Sequence, residues 1–257
     1  MPPPNVIVIL TDDQGYGDLA CHGHPLLRTP TIDRIHGESV RFTDFHVCPM
    51  CAPTRGQLMT GQDCLRNGSM ATSLGRQLPR PELPMMPQFF ADVGYRTGIF
   101  GKWHLGASTP YLPHDRGFQE SIYHLGFGLT GAEDIWNNDY FDPFYRHRGD
   151  VKQARGMYCT DFWFEQAMQW MGEACRAGEP FFCYLPTNVP HFPMWVEDVY
   201  KERFATQGEK PSGFFGMIEE LDENMARLDA FLESNGLRDD TILIFMTDNG
   251  HAGRALD

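Results

Sequence analysis

Nowhere does this chain carry the run of about 20 apolar residues that a bilayer-crossing helix needs, and no internal repeat or low-complexity tract interrupts it. The opening Met-Pro-Pro-Pro-Asn leads straight into a short apolar stretch, without the basic segment of an export signal. The sequence as it stands therefore predicts no anchor, no membrane partner and, by default, a cytoplasmic location. Cations are scarce: 21 Lys and Arg stand against 34 Asp and Glu, a formal charge of -13. That balance argues against a nucleic-acid partner, because the phosphate backbone demands a basic face. An anionic substrate would be held by a few local cations.

Cysteine is too sparse for a disulfide framework. The seven residues, at 21, 48, 51, 64, 159, 175 and 183, are an odd number in a 257-residue chain that is long enough to build its own core. Free thiols are expected, with Cys175 and Cys183 as small core residues. Cys48 and Cys51 have C-x-x-C spacing, but no second pair completes a zinc site. A redox pair would leave the acidic clusters unexplained.

The 42% hydrophobic content over this length predicts one α/β domain spanning residues 1–257. Asn5 to Leu10, NVIVIL, is a continuous run with four β-branched residues and reads as a central parallel strand buried on both faces. Thr241 to Met246, TILIFM, repeats the pattern. Helices are expected over Thr31 to Glu38 behind Thr29-Pro30, over Met85 to Val93, over Thr160 to Ala177 with a Thr cap, and over Phe214 to Glu233 with Met217, Leu221, Leu228 and Leu232 on one stripe. Strands are expected over Tyr95 to Phe100 and Pro180 to Leu185. This alternation predicts a mostly parallel sheet with helices on both faces. Ser108 to Arg155, rich in Gly, Pro, aromatic and Asp residues, reads as a long loop excursion that selects substrate.

Open α/β sheets bind ligands beyond the carboxyl ends of their strands. Four polar clusters fall there: Asp12-Asp13, Lys102 with His104, His191, and Asp248-Asn249. The two pairs supply three carboxylates and an amide oxygen, hard donors that suit Ca²⁺ or Mg²⁺. Taken one at a time, the same pairs are ordinary turn formers at strand ends. Cys51-Ala52-Pro53-Thr54-Arg55 reads as a helix start, with the helix running from Pro53 to Thr60 and Gly61 as its stop. A cysteine at a helix N-terminus has its thiol pKa lowered by the dipole, so Cys51 reads as reactive.

Cys51-Ala52-Pro53-Thr54-Arg55 followed by Leu58-Met59-Thr60-Gly61 resembles the C-x-P-[S/T]-R-x-x-x-L-T-G signature of the type I sulfatases, with Met59 a small departure. NVIVILTDDQGYGDL, GYRTGIFGKWHLG, NVPHFP and FMTDNG resemble that family's other motifs, in order. The resemblance implies an alkaline-phosphatase-like sulfatase core. It also implies that a maturation enzyme oxidises Cys51 to formylglycine, and that Asp12, Asp13, Asp248, Asn249 and residue 51 hold one cation, normally Ca²⁺ with Mg²⁺ as the alternative. A hydroxyl of the hydrated aldehyde would attack sulfur; the second hydroxyl would then lose its proton and expel sulfate. Arg55 would steady the diol, Lys102 would bridge diol and sulfate, His104 would take the elimination proton, and His191 would assist the leaving group. Cys48 fits no signature and reads as a buried thiol near the site. His22, His24, His114 and His124 are read as bystanders.

The implied substrate is a sulfated small molecule or carbohydrate, with the aromatic loop Ile135 to Tyr145 either stacking on it or packing the loop. The rival readings are a phosphonate or phosphate monoester hydrolase of the same superfamily, and an inactive chain that only binds sulfated ligands. Many members of the family are exported. Members also carry a later lysine and a C-terminal antiparallel subdomain, neither of which follows Asn249 in these 257 residues. The expectation is a truncated chain with weak or no turnover and exposed core surface.

Overall fold

The NVIVIL run forms an interior strand, paired on both sides and second from one edge of the sheet, in keeping with its burial. The computed structural model describes residues 3–72, 77–129, 135 and 138–251. Among them, β1 (Asn5–Thr11) pairs in parallel with β6 (Phe181–Pro186) on one side and β7 (Thr241–Thr247) on the other. Next to β6 comes β2 (Arg96–Lys102), also parallel, and then β3 (Glu120–His124). A hairpin of β4 (Phe144–His147) and β5 (Asp150–Gln153) adds two antiparallel strands, giving the order β5-β4-β3-β2-β6-β1-β7. The fold is a mostly parallel α/β sheet.

Strand alternation sorts the core into two layers. Ile7, Ile9, Phe181, Cys183 and Leu185 face one side, where α1 (Pro30–Glu38), α5 (Cys159–Ala177) and α7 (Glu209–Ser234) pack. Val8, Leu10, Phe182 and Tyr184 face the other, against α2 (Cys51–Thr60) and α4 (Met86–Asp92). The short α3 (Cys64–Asn67) and α6 (Asp198–Glu202) lie on the connections. On α7, Met217, Leu221, Leu228 and Leu232 are buried as the stripe predicts. Truncating any one of them to alanine would cost about 2–5 kcal/mol. No described helix is long and apolar enough to cross a membrane.

Several boundaries differ from expectation. Ser108 to Arg155 is not all loop: β3, β4 and β5 lie within it and extend the sheet. Strands of four or five residues are too short to declare a period in the sequence. Strand β7 is not a second copy of β1. It is an edge strand among the described residues, with Leu243 and Phe245 packed on the core but Ile242 and Ile244 49% and 41% exposed. Helix α5 is capped by Tyr158 without a side-chain hydrogen bond, and Thr160 sits inside its first turn near Glu220. Helix α7 begins at Glu209, a turn and more before Phe214. Helix α2 begins at Cys51 itself, with Pro53 inside the first turn, where its missing N–H costs nothing.

Candidate active site

The carboxyl ends of β1, β2, β6 and β7 lie side by side, so residues up to 236 positions apart in sequence converge on one rim. Strand β1 ends in Asp12-Asp13, β2 delivers Lys102 and His104, the loop after β6 carries His191, and β7 ends in Asp248-Asn249. Helix α2 aims its first turn at this rim and brings Cys51 and Arg55. All nine predicted site residues are brought together and all are buried.

The local backbone is shaped for this. Gly101, at φ 133°, stands where a Cβ would come within 1.9 Å of the Pro186 carbonyl, so only glycine lets β2 and β6 close up beside Lys102. Asp13 and His104 both adopt left-handed backbone (φ 63° and 59°), a conformation that costs a non-glycine residue about 1 kcal/mol or more. The surrounding bonds hold them there. His104 N donates to the Leu125 carbonyl at 2.7 Å, and Asp13 N donates to Asp248 Oδ1 at 3.2 Å.

A dense ionic network fills the centre. Lys102 Nζ donates to Asp12 Oδ2 at 2.5 Å. Arg55 places Nε and Nη2 on Asp248 Oδ2 at 3.1 and 2.7 Å, and Nη1 on the Lys102 carbonyl at 3.1 Å. Its guanidinium is thus engaged with a carboxylate and a backbone oxygen, close enough to Cys51 to act on its charge. Burial works against the charge on Asp12, but Lys102, His191 and Arg55 hold its pKa below the ordinary value. Burial likewise opposes the charge on Lys102, which Asp12 and Cys51 restore, leaving its pKa raised. Burial and Asp12 push Asp248 up to about 6 in spite of Arg55. Three carboxylates face two cations here, which leaves negative charge in excess.

The dipole argument for Cys51 fails. Burial, reinforced by Asp12 and Asp248, pushes its thiol far above the ordinary value. At neutral pH it is a protonated donor, with Sγ 3.4 Å from Asp12 Oδ1 and 3.9 Å from Asp13 Oδ1. A helix terminus contributes only about 0.3–1 kcal/mol, up to about 2 in partly buried geometries, and cannot outweigh burial among carboxylates. Cys51 as encoded is a poor nucleophile.

The residues fit a hard cation. Cys51 Sγ and one oxygen each from Asp12, Asp13 and Asp248 lie within 4.8 Å of one another. Asn249 donates Nδ2 to Asp13 Oδ1 at 2.6 Å, while its own Oδ1 is buried with no partner among the described residues. An orphaned amide oxygen beside three crowded carboxylates is the donor set that Ca²⁺ or Mg²⁺ satisfies.

The two histidines differ. Burial, with Lys102 and Arg55 adding to it, lowers the pKa of His104 well below the usual value, so the ring is neutral; its Nδ1 has no partner among the described residues. His191 directs Nδ1 at the Phe192 carbonyl (2.7 Å), which makes that nitrogen a donor, and Nε2 lies 3.5 Å from Asp13 Oδ2.

A cavity of about 210 Å³ opens onto these groups, lined by Asp13, Cys51, His104, His191 and Asn249, and also by Pro49, Met50, Thr72, Phe127, Gly250 and His251. Phe127, in left-handed backbone, meets the His104 ring edge-on with centroids 5.5 Å apart. Sequence reasoning missed Phe127, Thr72 and His251, because nothing local marks a loop residue as pocket-facing. It also missed Asn188, which bridges Trp163 and His124 beneath the site. Within Ile135 to Tyr145, Tyr140 is a packing residue: fully buried, it donates its hydroxyl to the carbonyls of Asn188 and His191. Trp136 and Asn137 lie outside the described residues. Cys48 is only half-buried and off the cavity, its Sγ on Gln57 Oε1 at 3.0 Å and its pKa pushed up to about 11 by burial and Cys64. All seven cysteines are free thiols, Cys183 fully buried and Cys175 partly so.

Comparison with known proteins agrees with this geometry. The family model described as Sulfatase matches residues 4–255. Human arylsulfatase A is 32% identical over 96% of this chain and 52% of its own length; mouse N-acetylgalactosamine-6-sulfatase is 27% identical over 97% and 51%. The chain therefore spans about half the length of the curated relatives it matches. Among solved structures, Ps i-CgsB in complex with k-i-k-neocarrahexaose superposes with a TM-score of 0.87 at 27% identity, covering 97% of this chain and 59% of that one.

Proposed function

The chain belongs to the sulfatase family, and from that premise we propose that it hydrolyses a sulfate ester at the rim described above, with Cys51 as the precursor of the nucleophile. The observation that carries the reading is the convergence of Cys51 on three metal-competent carboxylates and two buried cations, in a site where burial and the carboxylates oppose ionisation of the unmodified thiol.

Asp12, Asp13, Asp248 and Asn249 would hold one Ca²⁺, or Mg²⁺ in its place, with residue 51 as a further ligand. When present, the cation supplies Lewis-acid neutralisation of charge, and the hydrated aldehyde of formylglycine 51 supplies the attacking hydroxyl. Everything else is done by side chains already in place. Lys102 puts a fixed positive charge where sulfate oxygens gain charge, a contribution worth about 3–4 kcal/mol for one well-placed group. Arg55 holds Asp248 and the Lys102 backbone, and so keeps the ligand carboxylates in register. His104, kept neutral, has the lone pair to accept the proton whose removal expels sulfate. His191, oriented by Nδ1 on the Phe192 carbonyl with Nε2 3.5 Å from Asp13 Oδ2, would face the departing alcohol oxygen and assist its release. Phe127 and Met50 form the apolar part of the wall, and the oligosaccharide bound by Ps i-CgsB favours a carbohydrate-borne ester.

The test is hydrolysis by the chain matured in a host that converts such cysteines. A slow, Ca²⁺-dependent release of phenol from an aryl sulfate, exceeding that from an aryl phosphonate and lost in Cys51→Ala, is expected. A preference for the phosphonate, or no hydrolysis of either ester by a chain shown to carry the aldehyde, would refute the assignment.

A further inference from the structure

Among the described residues, one further group of metal-competent side chains comes together outside the active site. Cys21 stands in the middle of the helical turn Ala20–His22 and His22 ends it, and His36 lies in the last turn of α1. The Cys21 sulfur and one ring nitrogen from each histidine lie within 4.8 Å of one another, all three residues half-buried.

The support around them is built. Thr29 Oγ1 accepts from Ala20 N at 3.1 Å and donates to Asp33 Oδ1 at 2.9 Å; the same oxygen accepts from Cys21 N at 2.9 Å. These bonds lock the turn onto α1. His22 is stacked flat on Tyr16 (4.2 Å, 8°) and gives its Nδ1 to the Tyr16 carbonyl at 2.6 Å. A ring whose Nδ1–H is held by a backbone carbonyl keeps its lone pair on Nε2, the arrangement found behind metal-bound histidines. Arg41 approaches His36 Nε2 at 3.4 Å. Arginine only donates, so His36 too keeps its lone pair on Nε2, behind a contact long enough to be displaced.

We propose that Cys21, His22 and His36 form a second metal site for a zinc-class divalent ion. One thiolate and two imidazoles are a borderline-soft set that favours Zn²⁺ over Ca²⁺, the opposite of the oxygen-rich catalytic cluster. Binding would release the Cys21 proton to solvent and leave the fourth position to water. The ion would tie α1, through His22 and the Tyr16 carbonyl, to the loop that follows Asp12-Asp13. That loop is otherwise closed by Gly15 N on Asp18 Oδ2 at 2.7 Å.

Cobalt(II) titration of the EDTA-treated chain, with Ca²⁺ saturating the oxygen site, tests this. One equivalent should give the strong visible bands of tetrahedral cobalt and a thiolate-to-cobalt band. Those bands should persist in Cys51→Ser and vanish in Cys21→Ser. His36→Gln, at a half-buried helix position that leaves the fold intact by circular dichroism, should weaken binding by at least about tenfold. Absence of a thiolate-to-cobalt band in the unaltered chain would overturn the proposal, as would its survival in Cys21→Ser, its loss in Cys51→Ser, or an unchanged affinity in His36→Gln.

Discussion

Replacing Arg55 with methionine keeps much of its volume and removes its charge. The side chain is fully buried, so no water can take over its three donor bonds to Asp248 and the Lys102 carbonyl. Breaking a buried ion pair by removing one partner costs about 3–5 kcal/mol, and orphaning a buried carbonyl adds about 1–3. Part of this is recovered because Asp248, already raised to about 6, can take a proton instead. The net expectation is a loss of about 4 kcal/mol at pH 7.5, or on the order of 10 °C in Tm for a chain of this size. Urea unfolding at constant m-value measures it directly. The loss should shrink at pH 5, where Asp248 is neutral in the variant, and Arg55→Lys should recover about half of it. A loss below about 1 kcal/mol at pH 7.5, or one independent of pH between 5 and 7.5, would refute the claim that Arg55 is the principal counter-charge of Asp248.

Calcium binding should follow the same titration. Asp248 must lose its proton to ligate, so apparent affinity rises with pH up to about 6 and falls about tenfold per unit below it; isothermal titration at pH 5, 6 and 7 checks this. In the cation-free chain the sign reverses: the folded state holds a proton on Asp248 that the unfolded chain releases near pH 4, so this group's contribution to stability declines as pH rises from about 4 to 6. Tyr140→Phe removes the hydroxyl that ties the Asn188 and His191 carbonyls. It should cost about 1–3 kcal/mol in denaturant and lower kcat while leaving calcium affinity unchanged. On β7, Ile242→Lys with Ile244→Lys should reduce self-association seen by light scattering, because both side chains are exposed on the strand that forms the sheet edge among the described residues.

The parts of this molecule that were legible in sequence are those fixed by strong local chemistry. NVIVIL had to be a buried strand, and α7 had to face its Met217-Leu221-Leu228-Leu232 stripe inward. The ordered motifs placed Asp12, Asp13, Cys51, Arg55, Lys102, His104, His191, Asp248 and Asn249 on one rim, where the structure puts them. What escaped depends on neighbours distant in the chain. TILIFM looks like NVIVIL but lies at an edge among the described residues, since position in a sheet is decided by pairing and not by composition. Strands β3 to β5 were too short to show a period. The Cys51 thiol was misjudged because a helix terminus is visible in sequence, whereas the carboxylates that oppose ionisation arrive from residues 12 and 248. Tyr140 and Phe127 act through the loops they touch, which no local pattern reveals.

The central claim is that Cys51 is a precursor and not itself the nucleophile. Mass spectrometry of the proteolytic peptide carrying residue 51, from chain produced in a host with the maturation enzyme, tests it most directly. The account predicts an aldehyde at position 51, trapped by hydrazide reagents and absent when Pro53 or Arg55 is replaced. A peptide that retains an unmodified Cys51 thiol throughout would contradict it.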